Sequence, residues 1–213
     1  MQKNLFICAV LLLLQQKVCA QAQREVWIGG GAHLIMAGLD NKTYDTNEIS
    51  GSYTPRIGAG IDGFIHWRRA GRVGFGLDFF YLQKGGRIPN VVNIQTEYIS
   101  IAPQANYYFE KPAILIYLSP YFSVATTARY QLSEAYQPQY PGHSGRNNPI
   151  SPLDIGISGG INKTIFKRGS YAIAATLQGG YGGFDLFTRL PEFGYTRNWH
   201  TSLGINVQFE GSK

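Results

Sequence analysis

The chain has 213 residues, 15% of them charged, with 26 glycines, 14 tyrosines and a formal charge of +6. Low charge with many aromatics excludes a disordered chain, and so much glycine argues against a helical bundle. Basic residues are scattered in runs no longer than Arg68-Arg69, which leaves no footprint for nucleic acid.

The chain opens on an address. Met1-Gln2-Lys3-Asn4 is a short basic start, Leu5 to Leu14 is an apolar core, and Val18-Cys19-Ala20 and Ala20-Gln21-Ala22 both fit a small-residue cleavage site. This reads as a secretory signal over residues 1–20, cut after Ala20 or Ala22, with a core too short to span a bilayer as a helix. Val18 stands where a lipoprotein signal wants a small residue before its cysteine. Both cysteines, Cys8 and Cys19, leave with the signal. The mature chain then has no disulfide, thiolate metal site or cysteine nucleophile.

The mature chain has a period of two. Val26 to Met36 is the least clean segment, because Trp27 and Ile35 blur its faces. Arg56 to Trp67 places Ile57, Ala59, Ile61, Ile65 and Trp67 on one face, with Asp62 and His66 on the other. Arg72 to Gln83 sets Val73, Phe75, Leu77, Phe79 and Tyr81 against Gly74, Gly76 and Asp78. Glu97 to Phe109 sets Ile99, Ile101, Pro103, Ala105, Tyr107 and Phe109 against Ser100, Gln104 and Asn106. In Ala113 to Thr126 the even positions are apolar, from Ile114 to Val124, and Tyr117, Ser119, Tyr121 and Ser123 lie opposite. Leu153 to Asn162 opposes Leu153, Ile155, Ile157 and Ile161 to Asp154 and Ser158. Tyr171 to Tyr181 opposes Ile173, Ala175 and Leu177 to Thr176 and Gln178. Trp199 to Phe209 opposes Leu203, Ile205 and Val207 to His200, Ser202, Asn206 and Gln208. Strict alternation over such lengths is the strand signal.

These eight strands predict an all-β fold, an eight-stranded antiparallel up-and-down transmembrane barrel over residues 25–209. Segments of about 10 to 13 residues suit a tilted bilayer span. The apolar faces of these segments carry no charge, the other faces are small and polar, and aromatic residues gather toward the ends. Apolar outward and polar inward is the outer-membrane pattern, and the reverse of a soluble lipocalin-like carrier. Connections alternate between short (68–71, 110–112, 163–169) and longer (36–56, 84–93, 128–151, 186–197), as periplasmic turns and extracellular loops do. An even strand number then puts both termini in the periplasm.

At Phe79-Phe80-Tyr81-Leu82-Gln83-Lys84-Gly85, and from Tyr98-Ile99-Ser100-Ile101-Ala102-Pro103 to Tyr107-Tyr108-Phe109, the chain resembles the porin-like outer-membrane β-barrel proteins of the PorT or OmpX-like group. In the second of these Pro103 falls one residue later than the family pattern, and Leu153-Asp154-Ile155-Gly156 and the closing Leu203 to Phe209 are also similar. The resemblance implies the fold. It carries over no catalytic residues.

Candidate chemistry is sparse. His200 and Ser202 form an H-x-S pair like that of outer-membrane lipid A deacylases, but the alternation points both into the lumen. Asp62, Asp78 and Asp154 also face inward, where an eight-stranded barrel is just wide enough for side chains to fill, and a buried carboxylate needs a partner. The expected lumen network is Asp62, His66, Asp78, Gln104, Asn106, Tyr117, Asp154, Gln178, His200 and Gln208. His33, His66 and His143 lack metal-ligand spacing. Gly29-Gly30-Gly31 lacks the helix and lysine of a nucleotide loop. The Tyr/Pro/Gln-rich stretch from Tyr130 to Pro149 is either a ligand-binding or a merely solvated loop. The function expected is a non-enzymatic outer-membrane barrel with a structural or surface-interaction role, needing no cofactor or metal. Its expected partners are outer-membrane lipid and another envelope protein met through the loops, with no nucleic acid. The alternatives are a secretion or assembly accessory that docks a partner, and a lipid-modifying enzyme using His200 and Ser202. One register follows from parity: Phe109 opposes Ile114, which sets Pro103 against Pro120.

Overall fold

The computed structural model describes residues 25–42, 54–68, 71–88, 92–132, 150–184, 186 and 195–211. The signal segment, His143 and most of the 130–149 stretch lie outside the described residues. Eight strands follow one another: β1 (Glu25–Lys42), β2 (Thr54–Arg68), β3 (Val73–Ile88), β4 (Val92–Phe109), β5 (Ile114–Leu132), β6 (Leu153–Arg168), β7 (Tyr171–Gly182) and β8 (Tyr195–Glu210). Each pairs antiparallel with the next, and β8 returns to β1 to close the barrel. Closure leaves no free sheet edge, which a bilayer requires, since hydrocarbon offers backbone groups no partners.

The faces follow the alternation. Ile61, Phe75, Ile99, Leu118, Ile157, Leu177 and Leu203 are exposed on the outside, Ile61 and Leu203 to 62% each. A continuous apolar surface of this size belongs in lipid, not water. The blurred segment also resolves. In β1 the even residues Ile28, Leu34 and Met36 face out, while Ile35 is fully buried. Ile35 joins Ala37, Phe80, Leu82, Ala102 and Tyr121 in an apolar layer across the lumen. The lumen is therefore not polar throughout, which is why Ile35 spoils the pattern.

Three further expectations need correction. The strands run from 12 to 19 residues, because most continue past the apolar belt into what the sequence reads as loops. Lys84, assigned to a loop, lies within β3 and is buried. Lys163, assigned to a turn, lies within β6 opposite Ile114 and Ala175, so an exposed charge sits on the outward face next to the lipid-facing Ile161.

The parity argument for β4 and β5 agrees with the observed register. Phe109 pairs with Ile114, and the register is the same at Ala105↔Leu118 and Ile101↔Phe122, which sets Pro103 against Pro120. No pairing is formed between those two points. Neither proline has an N–H, so each leaves the other's carbonyl without its ladder donor. Ser119 supplies the remedy. Its Oγ lies 2.6 Å from the Pro103 carbonyl oxygen and 3.0 Å from that of Pro120. The local register shift falls elsewhere, between Glu97 and Tyr98.

Candidate functional site

The lumen is layered along the barrel axis. Because β-strand side chains alternate, the inward set of each strand is fixed once its outward set meets lipid. At the turn side, a cavity of about 360 Å³ opens among Trp27, Arg68, Tyr108, Leu115, Lys167 and Gln208. Its rim is tied by ion pairs. Arg68 reaches Glu110 at 3.0 Å and Glu25 at 3.7 Å, and Lys167 reaches Glu210 at 3.4 Å. The Lys167 ammonium also lies 4.7 Å from the centre of the Trp27 ring.

Deeper in lies the first polar layer. His66 Nε2 is 3.1 Å from Asp78 Oδ1, and the Gln104 amide donates to the other Asp78 oxygen. His33 Nε2 is 3.1 Å from Asp62 Oδ1, and the Asn206 amide donates to Asp62 at 3.4 Å. Phe64 stacks on His66 with ring centroids 4.4 Å apart. Asn106 is buried beside this layer, and neither end of its amide meets a partner among the described residues.

Beyond the apolar layer lies a second polar layer. Lys84 Nζ, its side chain 1% exposed, is 2.9 Å from Asp154 Oδ2. The Tyr121 hydroxyl donates to the same carboxylate at 3.3 Å, and the Asn198 amide reaches it at 3.5 Å. The ammonium also lies 4.7 Å from the centre of the Tyr121 ring and 5.3 Å from that of Tyr98. This is a complete set of partners for a buried cation, with a counter-charge on one side and two π faces on others.

Five of the ten residues named for the lumen network enter the polar contacts of the two layers. Asp62, His66, Asp78 and Gln104 meet in the first polar layer, and Asp154 anchors the second. Tyr117 stands over Gly160, Gln208 lines the mouth cavity, and Gln178 pairs across to Ser202. His200 and Ser202 are each 3% exposed. The His200 ring lies edge-on to Tyr121, and its two nitrogens have no hydrogen-bond partner among the described residues. Neither residue reaches the lipid-facing surface, so the geometry of the H-x-S pair is not that of a site open to lipid. Among the described residues no group of His, Asp or Glu is placed to hold a metal. Sequence reasoning missed Lys84, Tyr98 and Asn198. Extending the alternation one residue past Gln83 and one before Trp199 would have found Lys84 and Asn198.

Glycines make room for the rings. Six lumen rings stand directly opposite a glycine on the neighbouring strand: Phe64 and Gly29, His66 and Gly76, Tyr117 and Gly160, Tyr121 and Gly156, His200 and Gly180, His33 and Gly204. A Cβ at Gly156 or Gly160 would lie 2.6 Å from the facing tyrosine hydroxyl. This is the packing that the Gly29-Gly30-Gly31 run serves: a Cβ at Gly29 would meet the Phe64 ring, and one at Gly31 the Asn206 amide.

No protein-family model matches the chain, and no curated protein matches it in sequence. Solved structures are similar to it in shape. Ail, the attachment invasion locus protein of Yersinia pestis, solved with the heparin analogue sucrose octasulfate, is 10% identical, with 88% of this chain and 99% of that chain covered and a TM-score of 0.46. Neisserial surface protein A is 13% identical over 86% of this chain and 97% of its own, with a TM-score of 0.45. The N-terminal β-barrel domain of Pseudomonas aeruginosa OprF is 13% identical over 89% and 100%, with a TM-score of 0.40.

Proposed function

We propose that this chain is an integral outer-membrane barrel with a side-chain-filled lumen, acting without catalysis as a structural or surface-interaction protein. The observation that carries the reading is the pairing of an apolar, lipid-fitted exterior with an interior closed by two polar layers and one apolar layer. A barrel of eight strands has no room for an aqueous pore once such side chains fill it. Glu25 and Glu210 lie at the same end as the short turns, which supports an orientation with both chain ends in the periplasm and the longer connections at the cell surface. The inward burial of His200 and Ser202 speaks against a lipid-modifying enzyme. Purified protein folded in detergent should migrate differently on a gel before and after boiling, and should give no steady conductance in planar bilayers. Stable nanosiemens channels from pure protein would overturn the filled-lumen reading.

A further inference from the structure

The positive charge of this molecule is concentrated at one end. The described strand ends and turns on the short-turn side carry six basic residues, Arg68, Arg72, Lys111, Lys163, Lys167 and Arg168, against three acids, Glu25, Glu110 and Glu210. In sequence, the flanking residues Arg24, Arg69 and Lys213 add no acid. The rest of the chain beyond the signal segment has eight basic and ten acidic residues. Counted along the sequence, the positive excess therefore falls on the segments around the short turns and the chain ends.

That charge is divided by direction. All three acids are consumed at the lumen mouth by Arg68 and Lys167. Arg72, Lys111, Lys163 and Arg168 are exposed, and among the described residues none has a carboxylate within ion-pair distance. Arg72 instead donates to the outward Tyr107 hydroxyl at 3.4 Å. Arg168 pairs with Tyr171, on the outward face. There Phe166, Tyr171 and Phe209 form a chain of ring contacts, with centroids 6.1 and 5.7 Å apart. Lys163 follows the lipid-facing Ile161 on the same face. These cations thus stand among the aromatic residues that mark where hydrocarbon gives way to headgroups. A lysine or arginine at that height lays its aliphatic stem on the apolar surface and extends its charge to the phosphates.

We infer that the short-turn rim binds the anionic phospholipid headgroups of the leaflet it faces, with Lys111, Lys163 and Arg168 as the phosphate-contacting residues. The inference rests on the proposal that the chain is a membrane barrel. Cations beside an anionic surface are each worth about 1 kcal/mol, roughly a fivefold effect, and are screened by salt.

The test uses the mature chain folded into phosphatidylcholine vesicles mixed with phosphatidylglycerol, in a Trp199→Phe background that leaves Trp67 as the outward indole. Chain-brominated versions of each lipid quench that indole in proportion to their presence beside the barrel. The expected result is that phosphatidylglycerol is enriched about threefold or more over phosphatidylcholine at low salt. The ratio should fall toward one at high salt, and in Lys111→Gln/Lys163→Gln/Arg168→Gln. Arg87→Gln/Arg129→Gln, on the loop side, should leave it unchanged. A ratio near one for the parent protein overturns the inference, as does a ratio the triple variant retains. A parent ratio of one together with retention on peptidoglycan that depends on the same cations assigns the rim to another polyanion, and also overturns it. Boiled and unboiled gel migration is run on every sample. A folded band with no lipid preference rejects the rim assignment alone, whereas no folded band for the parent rejects the barrel reading. If only the triple variant fails to fold, the salt dependence of the parent ratio decides.

Discussion

Replacing Lys84 by methionine tests whether the second polar layer holds the barrel together. Methionine keeps most of the stem volume and removes the charge. Asp154 would then lose its 2.9 Å ammonium partner and keep only the Tyr121 hydroxyl at 3.3 Å and the Asn198 amide at 3.5 Å. Both partners are almost wholly buried, so water cannot take the place of the lost cation. Breaking a buried ion pair from one side costs about 3–5 kcal/mol, because the remaining charge is left uncompensated. With a urea slope near 2 kcal/mol/M, a loss of about 4 kcal/mol moves the unfolding midpoint down by about 2 M. Urea titration in lipid vesicles, followed by tryptophan emission and by gel migration, measures this directly. Lys84→Met/Asp154→Asn removes both charges and should recover most of the loss, giving a large coupling in the double-mutant cycle. The reasoning fails if Lys84→Met lies within about 1 kcal/mol of the parent, or if the double variant is no better than the worse single.

Other positions test other parts of the barrel. Ile61→Arg, on the lipid-facing side of β2, should cost about 2–4 kcal/mol in bilayer refolding, whereas Asp62→Ala, one residue along, should act through His33 and be insensitive to lipid thickness. Gly180→Ala places its methyl into the His200 ring, which supplies the three nearest atoms, costing about 1–3 kcal/mol; adding His200→Ala should make the second change less costly than it is alone, and strict additivity in the urea midpoints would refute the steric pairing. Ser119→Ala should cost about 1–3 kcal/mol by removing the one hydroxyl donor that the Pro103 and Pro120 carbonyls share. In a Pro120→Ala background, where a backbone N–H returns, that cost should shrink, and an unchanged cost would show that the hydroxyl serves something else.

Much of the fold was legible in residues that alternate. Ile57, Ile61 and Ile65 against Asp62 and His66 fix a face without any structure, because lipid tolerates no charge on one side and a narrow lumen tolerates little bulk on the other. Legibility ended where that physics ended. Beyond the apolar belt the outward face need not be apolar, so Arg87 and Asn93 look like loop although they lie in strands. Ile35 was ambiguous because it meets Phe80 and Leu82 in a dry layer that no pattern on its own strand announces. The network members Asp62, Asp78 and Asp154 were readable as inward. Their partners were not, since the Lys84–Asp154 pair joins residues 70 apart across the barrel.

The ring-and-glycine pairs have a consequence for how the strands find their alignment. A slip of two residues keeps every side chain on its proper face, so the apolar exterior does not forbid it. The lumen does. Moved by two, Tyr117 would face Ser158 or Asn162, and Tyr121 would face Asp154 or Ser158, where no space exists for a ring. Such pairs are absent from β4–β5 and β6–β7, whose tight turns dictate alignment by themselves. One, His66 with Gly76, sits beside the short β2–β3 turn; the others lie where the connection is long or missing, as at β5–β6 and at β8–β1, where no connection joins the strands and His33 must find Gly204. The glycines act as keyholes, spelling out the correct closure where the chain's own connectivity is silent.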